Sequence, residues 1–169
     1  MHSENVPLAG RFFLGHGHLM TERTIDSPVG ALRLVESDGA ITRLAWGQGA
    51  RDSTPLLLEA EAQLAAYFAG TREAFDIPLH VDRSEFQRAV CDAMLAIPFG
   101  YTRTYGEIAR DLGVPAQAVG QACGANPIPI LIPCHRVMGA KGLTGFSGGG
   151  GVETKVTLLR LEGAAGLLI

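Results

Sequence analysis

The stretch from Asn126 to Gly139, NPIPILIPCHRVMG, constrains this chain more than any other. Prolines at 127, 129 and 133 restrict φ, favour an extended backbone ahead of Cys134, and so place its sulfur rigidly. The run is apolar until a cysteine is set directly against a histidine. Cys134 beside His135 leaves three readings open: chemistry, metal binding, or an inert buried thiol next to a histidine bonded to backbone.

Bulk properties narrow the setting. A chain of 169 residues holds one large domain or two small ones and can bury a real core. With 47% hydrophobic and 18% charged residues it has an ordinary globular composition. No apolar run reaches the roughly 18–20 residues of a membrane helix. The first twenty residues lack the basic-then-apolar order of a signal peptide and are set aside as an N-terminal extension or an added leader. His16 and His18 there fit a polar tail better than a metal site. Cys91, Cys123 and Cys134 show no C-x-x-C spacing, which disfavours a disulfide framework and a structural zinc, and suggests reduced thiols in a cytoplasmic protein. The net charge of −3 announces no polyanion partner, yet the halves differ. Residues 23–82 carry five arginines against nine acids, whereas 83–141 carry six basic residues against four acids, so the second half is the better polyanion binder.

Two runs of β-type residues around Ser37-Asp38-Gly39 predict a hairpin. TPLLLEAEAQLAAYFAG follows with Leu57, Leu64, Tyr67 and Phe68 at helical spacing and Gly70 as a stop; AFDIPL is a short extended piece. Near residues 80–84 the pattern turns helical. Ser84 caps a helix with Phe86, Val90, Met94 and Leu95 on one face, ended by Pro98-Phe99-Gly100. Thr104 and Glu107 form a capping box for a second helix, Gly113 closes it, and Pro115 opens a third of small residues. That order fits a helix-turn-helix, with an ordinary helical hairpin as the alternative. VETKVTLLRLEG makes a last helix whose Val156, Leu158, Leu159 and Leu161 are expected beneath the late glycine loop.

A cysteine becomes a strong nucleophile when a base or a helix N-terminus favours its thiolate. Such a pair serves an acyl-transfer hydrolase, where water releases the product, or an alkyl transfer, where a permanent thioether forms. The residues alone do not choose; the adjacent DNA-binding candidate favours alkyl transfer.

NPIPILIPCHRVMG, preceded by FQRAVCDAMLAIPFGYTRTYGEIA and followed by GLTGFSGG and LLRLEG, resembles the O6-alkylguanine-DNA alkyltransferases, or methylated-DNA–protein-cysteine methyltransferases. The likeness runs from about Arg23 to Gly163 and is strongest from Phe86 onward. It implies an α+β chain: a ribonuclease-H-like α/β domain over 21–81, then a winged-helix-like domain with a helix-turn-helix over 82–169. It implies direct reversal of damage in duplex DNA, in which a flipped O6-alkylguanine passes its alkyl group to Cys134 once and irreversibly. O4-alkylthymine is a second candidate substrate. No cofactor, metal or membrane is implied, and the chain is expected to act as a monomer.

The resemblance also implies residue roles. Cys134 is the nucleophile, His135 the base through a bridging water, Glu162 the group that orients His135, and Asn126 the brace between helix and loop. Tyr105 sits by the flipped base, the carbonyls of Cys134 and Val137 accept from its exocyclic amine, and the Ser147 amide faces O6. Phe146 stands near the base where many relatives have tyrosine. Gln117 occupies the place of the usual intercalating arginine, with Thr104, Ala118, Gly124 and Arg136 also expected on the DNA. Cys91 replaces a usual tryptophan, and Cys123 on the recognition helix is expected as a packing residue. The rival readings are a damage sensor that flips the base without repairing it, a helix-turn-helix regulator, and a cysteine hydrolase.

Overall fold

The computed structural model describes residues 12–14, 18–142 and 148–164. Asp38 and Gly39 both have positive φ (50° and 77°), as a two-residue hairpin turn requires, and they join β3 (Leu32–Ser37) to β4 (Ala40–Trp46). On the other edge of β3 lies β2 (His18–Ile25), and beyond it β1 (Phe12–Leu14), completing an antiparallel sheet in sequence order. The sheet therefore reaches into the segment that the sequence reading set aside. The reason lies in the edge of β3: its backbone groups need partners as far as Ser37, and Met20 supplies the last pairing.

Pro55 starts α1 (Pro55–Phe68), and the Thr54 hydroxyl accepts from the Leu57 amide at 3.1 Å. Leu57, Ala60, Leu64 and Tyr67 recur at helical spacing and are buried in one cluster with Ile25, Leu32, Leu34, Ile41 and Leu44 of the sheet. Each fully buried leucine or isoleucine contributes about 1.5–3 kcal/mol. The outer edge of β4 is covered by chain rather than by another strand. Ile41 exchanges hydrogen bonds with Pro78 and His80, and Leu44 N donates to the Pro127 carbonyl at 3.0 Å. That last bond ties the sheet to the proline-rich run.

The second half is helical. Ser84 caps α2 (Glu85–Leu95) by accepting from Gln87 N at 3.1 Å. Its buried face is Gln87, Val90, Cys91 and Met94, while Phe86 and Leu95 are exposed, so the helix is rotated from the face the sequence suggested. Gln87 can point inward because its amide donates to the Ala122 carbonyl at 2.8 Å. Helix α3 (Tyr105–Leu112) begins at Thr104, whose Oγ1 accepts from Glu107 N at 3.1 Å, and ends at Gly113 in the left-handed region (φ 68°). Pro115 then leads into α4 (Ala116–Gly124), which packs on α3 as a helix-turn-helix. A short parallel pairing of β5 (Arg103–Thr104) with β6 (Val137–Met138) sets the chain after His135 beside the start of α3. The last helix, α5 (Val152–Leu161), buries Thr154, Lys155, Leu158 and Leu159. Val156 and Leu161 are only half-buried, a second rotation from the expected face. The whole is a mixed α+β chain, and among the described residues no helix is long and apolar enough to cross a membrane.

Candidate active site

Residues 126–137 are buried without interruption, yet the run is not extended. It folds back in consecutive tight turns. Leu131 N donates to Pro129 O at 2.9 Å and Ile132 N to Ile128 O at 2.8 Å, which puts Ile130 at φ 71°. A β-branched residue in that region costs on the order of 1–2 kcal/mol, so other contacts must hold it. Asn126 does much of this from within: its Nδ2 donates to Ile132 O at 2.8 Å and its Oδ1 accepts from Ile128 N at 3.0 Å. Leu44 holds Pro127 from the sheet. At the end of the run Pro133 (φ −81°, ψ 68°) makes an inverse γ-turn, with Cys134 N on Ile132 O at 2.8 Å. The prolines thus rigidify turns, because their fixed φ suits an inverse γ-turn as well as a strand.

Cys134–Arg136 is a single 3-10 turn. Successive side chains in such a turn diverge by about 120°, so Cys134 and His135 do not point to opposite sides as they would in a strand. His135 is fully buried, and its Nε2 lies 2.6 Å from Glu162 Oε2. Glu162 follows α5 directly. Arg136 donates from Nε to Glu162 Oε1 at 2.7 Å and from Nη2 to Oε2 at 3.0 Å, while its Nη1 donates to the Ile97 carbonyl at 2.7 Å. Tyr67 Oη, from α1, donates to Glu162 Oε2 at 2.6 Å. Burial opposes ionisation of Glu162, but the hydrogen bonds from His135 and Arg136 outweigh it and bring the carboxyl down to about 2. An ionised Oε2 accepts, so Nε2 carries the proton and Nδ1 bears the lone pair. Nδ1 is buried and has no hydrogen-bond partner among the described residues. The imidazole is thereby built as a base.

The thiol is neutral at rest. Burial pushes Cys134 up to about 11, against the opposing pull of Asn126 and the Lys155 ammonium. At pH 7 the free thiolate is then on the order of one part in ten thousand. Burial also lowers His135, against the raising effect of Glu162. Burial thus favours the protonated thiol, whose proton leaves as the sulfur attacks. Lys155 is buried within α5, donates from Nζ to the Val137 carbonyl at 2.6 Å, and lies 6.0 Å from the centre of the Tyr105 ring.

The structure thus brings together Cys134, His135, Glu162 and Asn126. Val137 presents its carbonyl already engaged by Lys155, and a carbonyl oxygen has a second lone pair for a ligand. Tyr105 and Gln117 line one shallow cleft of about 580 Å³ with Gly106, Ala116 and Gln121. Gln117 is exposed in the first turn of α4, Ala118 is half-buried and Gly124 is exposed at the far end; Thr104 is half-buried and engaged as the cap of α3. Arg136 requires correction. Expected on the DNA, it is 7% exposed and spends its guanidinium on Glu162 and Ile97, because a basic residue next to His135 is turned inward toward the same carboxylate. Phe146 and Ser147 lie outside the described residues.

Lys155 and Tyr67 receive no site role from the sequence, and Arg136 receives a different one. Lys155 carried a signal, since it shares helical spacing with Leu158 and Leu159 and so falls on the buried face of α5. Tyr67 was legible as a core residue, but its hydroxyl meets Glu162 across 95 positions of chain, and no local pattern reveals that. The inward role of Arg136 was hidden for the same reason.

The chain matches two family models: 6-O-methylguanine DNA methyltransferase, ribonuclease-like domain, over residues 20–81, and the DNA binding domain of the same description over residues 85–164. It is 48% identical over 151 residues to a methylated-DNA–protein-cysteine methyltransferase of Mycolicibacterium paratuberculosis, covering 83% of this chain and 90% of that protein. A methyltransferase of the same description from Methanosarcina acetivorans is 40% identical over 151 residues, covering 82% of this chain and 96% of that one. Among solved structures, Mycobacterium tuberculosis O6-methylguanine methyltransferase superposes with a TM-score of 0.76 at 44% identity, over 85% of this chain and 93% of that chain. A crystal structure of Mycobacterium tuberculosis OGT in complex with DNA gives 0.75 at 45% identity, over 84% and 92%.

Proposed function

This chain belongs to the 6-O-methylguanine DNA methyltransferase family, and from that premise we propose a direct-reversal repair reaction in which Cys134 is both nucleophile and final acceptor. An O6-alkylguanine in duplex DNA is rotated out of the stack, because neither its O6 nor its alkyl carbon can be reached in line from a buried sulfur otherwise. His135 Nδ1 takes the thiol proton, directly or through one water, as Sγ attacks the alkyl carbon. The S–C bond forms while the C–O6 bond breaks, the electron pair passes to the guanine, and the proton taken by His135 passes on to the guanine anion, leaving neutral guanine and a neutral imidazole. Glu162 stabilises the imidazolium that forms in between. Lys155 and Asn126 stabilise the charge developing on sulfur.

The observation that carries this reading is the buried His135, proton-bearing on Glu162, whose Nδ1 has no partner among the described residues and which shares one 3-10 turn with Cys134. A cysteine hydrolase would need the same pair, but then water must cleave the product. A thioether resists water, so the reaction ends after one turnover, and no cofactor is required because the sulfur itself accepts the group. Tyr105 would stand by the displaced base and Gln117 would fill the gap in the stack, both from the shared cleft. Arg136 drops from the DNA-contacting set. Monomeric action in the cytoplasm completes the reading.

Incubation with an O6-methylguanine duplex followed by intact-mass and peptide mapping tests it. One methyl increment on Cys134, absent in Cys134→Ala, supports the transfer. Binding with no mass change would make the chain a damage sensor, and neither result would leave the transferase reading without support.

A further inference from the structure

Tyr67 belongs to the sheet-and-helix half of the chain, far from Cys134 in sequence, yet its hydroxyl ends on the oxygen that His135 uses. Glu162 Oε2 accepts from Tyr67 Oη at 2.6 Å, His135 Nε2 at 2.6 Å and Arg136 Nη2 at 3.0 Å. The Arg136 fork, with Nε on Oε1, already sets the plane of the carboxylate. The tyrosine is therefore not needed to aim it. We propose that Tyr67 is a positioning residue that acts through Glu162 to restrain the base strength of His135, so that the first half of the chain sets how readily the Cys134 thiol reacts.

The physical basis is competition for one oxygen. A hydroxyl donating to an ionised carboxylate makes a short, charge-assisted bond, and the charge it holds is withdrawn from the other donors on that atom. Less negative potential remains to stabilise a protonated His135. The thiol then stays neutral until the substrate itself provides the driving force. For a protein whose one acceptor is consumed by reaction, a resting thiol that ignores small electrophiles conserves the molecule. Tyr67 is well placed to exert a constant influence, since it is 1% exposed and its ring packs against Phe68, Phe75 and Phe99. Among the described residues, the charged and titratable groups that act on His135 are Glu162, Arg136 and Lys155, and those that act on Cys134 are Lys155, Cys91 and Cys123. The phenol of Tyr67 is itself held protonated by burial and by the Glu162 carboxylate, so it remains a donor throughout the working range.

This inference rests on Cys134, His135 and Glu162 being the reacting set, and its test needs no DNA. The rate of Cys134 carbamidomethylation by iodoacetamide is followed by peptide mass spectrometry from pH 7 to 12 in the full chain and in Tyr67→Phe, a range that spans the raised thiol. Removal of the hydroxyl is expected to move the inflection to lower pH by about half a unit to one unit, which speeds the reaction at pH 7 by about three- to tenfold. In a His135→Gln background the same substitution is expected to change nothing. An unmoved inflection in Tyr67→Phe overturns the proposal, and so does an equal effect with and without His135, which would mean general loosening. Should His135→Gln fail to fold, the inflection in Tyr67→Phe alone decides. Failure of methyl transfer from DNA in the full chain would count against the transferase reading and leave this result standing on its own.

Discussion

Replacing Glu162 by glutamine tests the centre of the site most severely. The carboxylate is 4% exposed and accepts four hydrogen bonds: three on Oε2 and one, from Arg136 Nε, on Oε1. An amide has one accepting oxygen. If that oxygen takes the place of Oε2, the NH2 group faces the Arg136 N–H; if the amide is flipped, it faces three donors at once. In either orientation a buried guanidinium loses its counter-charge, which costs about 3–5 kcal/mol. The pH dependence gives an independent measure. The Glu162 carboxyl is lowered from 4.5 to about 2 on folding, and such a shift contributes about 3 kcal/mol. Because the folded value is the lower one, this contribution is complete above the unfolded pKa and is lost as pH falls from about 4.5 through 2. Urea unfolding of both proteins from pH 7 to pH 2.5 should therefore show a gap of several kcal/mol at neutral pH that narrows in acid. A gap below about 1 kcal/mol at pH 7, or one that keeps its size at pH 2.5, would refute the assignment of Glu162 as a buried anion held by Arg136 and His135. Against a typical total stability of about 5–15 kcal/mol, the neutral-pH variant should remain folded but fragile.

Other outcomes follow from the same geometry. Lys155→Met removes the ammonium that lowers Cys134 and leaves the Val137 carbonyl without its donor at 2.6 Å, so iodoacetamide labelling of Cys134 should shift to higher pH; an unchanged profile would deny it a role at the sulfur. Gln117→Arg puts a cation in the cleft beside Tyr105, and should tighten duplex binding and steepen the dependence of log K on log salt by about one, checked by fluorescence anisotropy at several salt concentrations. Gly149→Ala would bring a Cβ to 2.5 Å from Cδ1 of Trp46, so the glycine loop should detach from the sheet; the single tryptophan reports this directly, and unaltered Trp46 emission would contradict the contact.

What was legible in the sequence was local. The hairpin at Asp38-Gly39, the caps at Ser84 and Thr104, the stop at Gly113 and the adjacency of Cys134 to His135 all depend on residues within a few positions of one another, where backbone preference and side-chain spacing act directly. Helix faces depend on partners distant in sequence. The α2 face departs from the apolar pattern: Phe86 and Leu95 are exposed, whereas Gln87 is taken inside by the Ala122 carbonyl. The backbone of the proline run is not legible locally either, since a fixed φ is shared by strands and inverse γ-turns and only the partners of Asn126 and Leu44 distinguish them.

The sequence by itself determined the residue types of the chemistry: one thiol, one imidazole and one late carboxylate in fixed order, with a helix-turn-helix before them. Only the tertiary structure decided how that carboxylate is shared. Glu162 is reached by Tyr67 from the first half of the chain and by Arg136 from the motif itself, and Lys155 comes within range of Cys134 only when α5 packs beneath it. Potentials inside a protein depend on which charges are desolvated together, and desolvation is a property of the packed whole. Cys134 is named by its neighbours in sequence. Its reactivity is set by its neighbours in space.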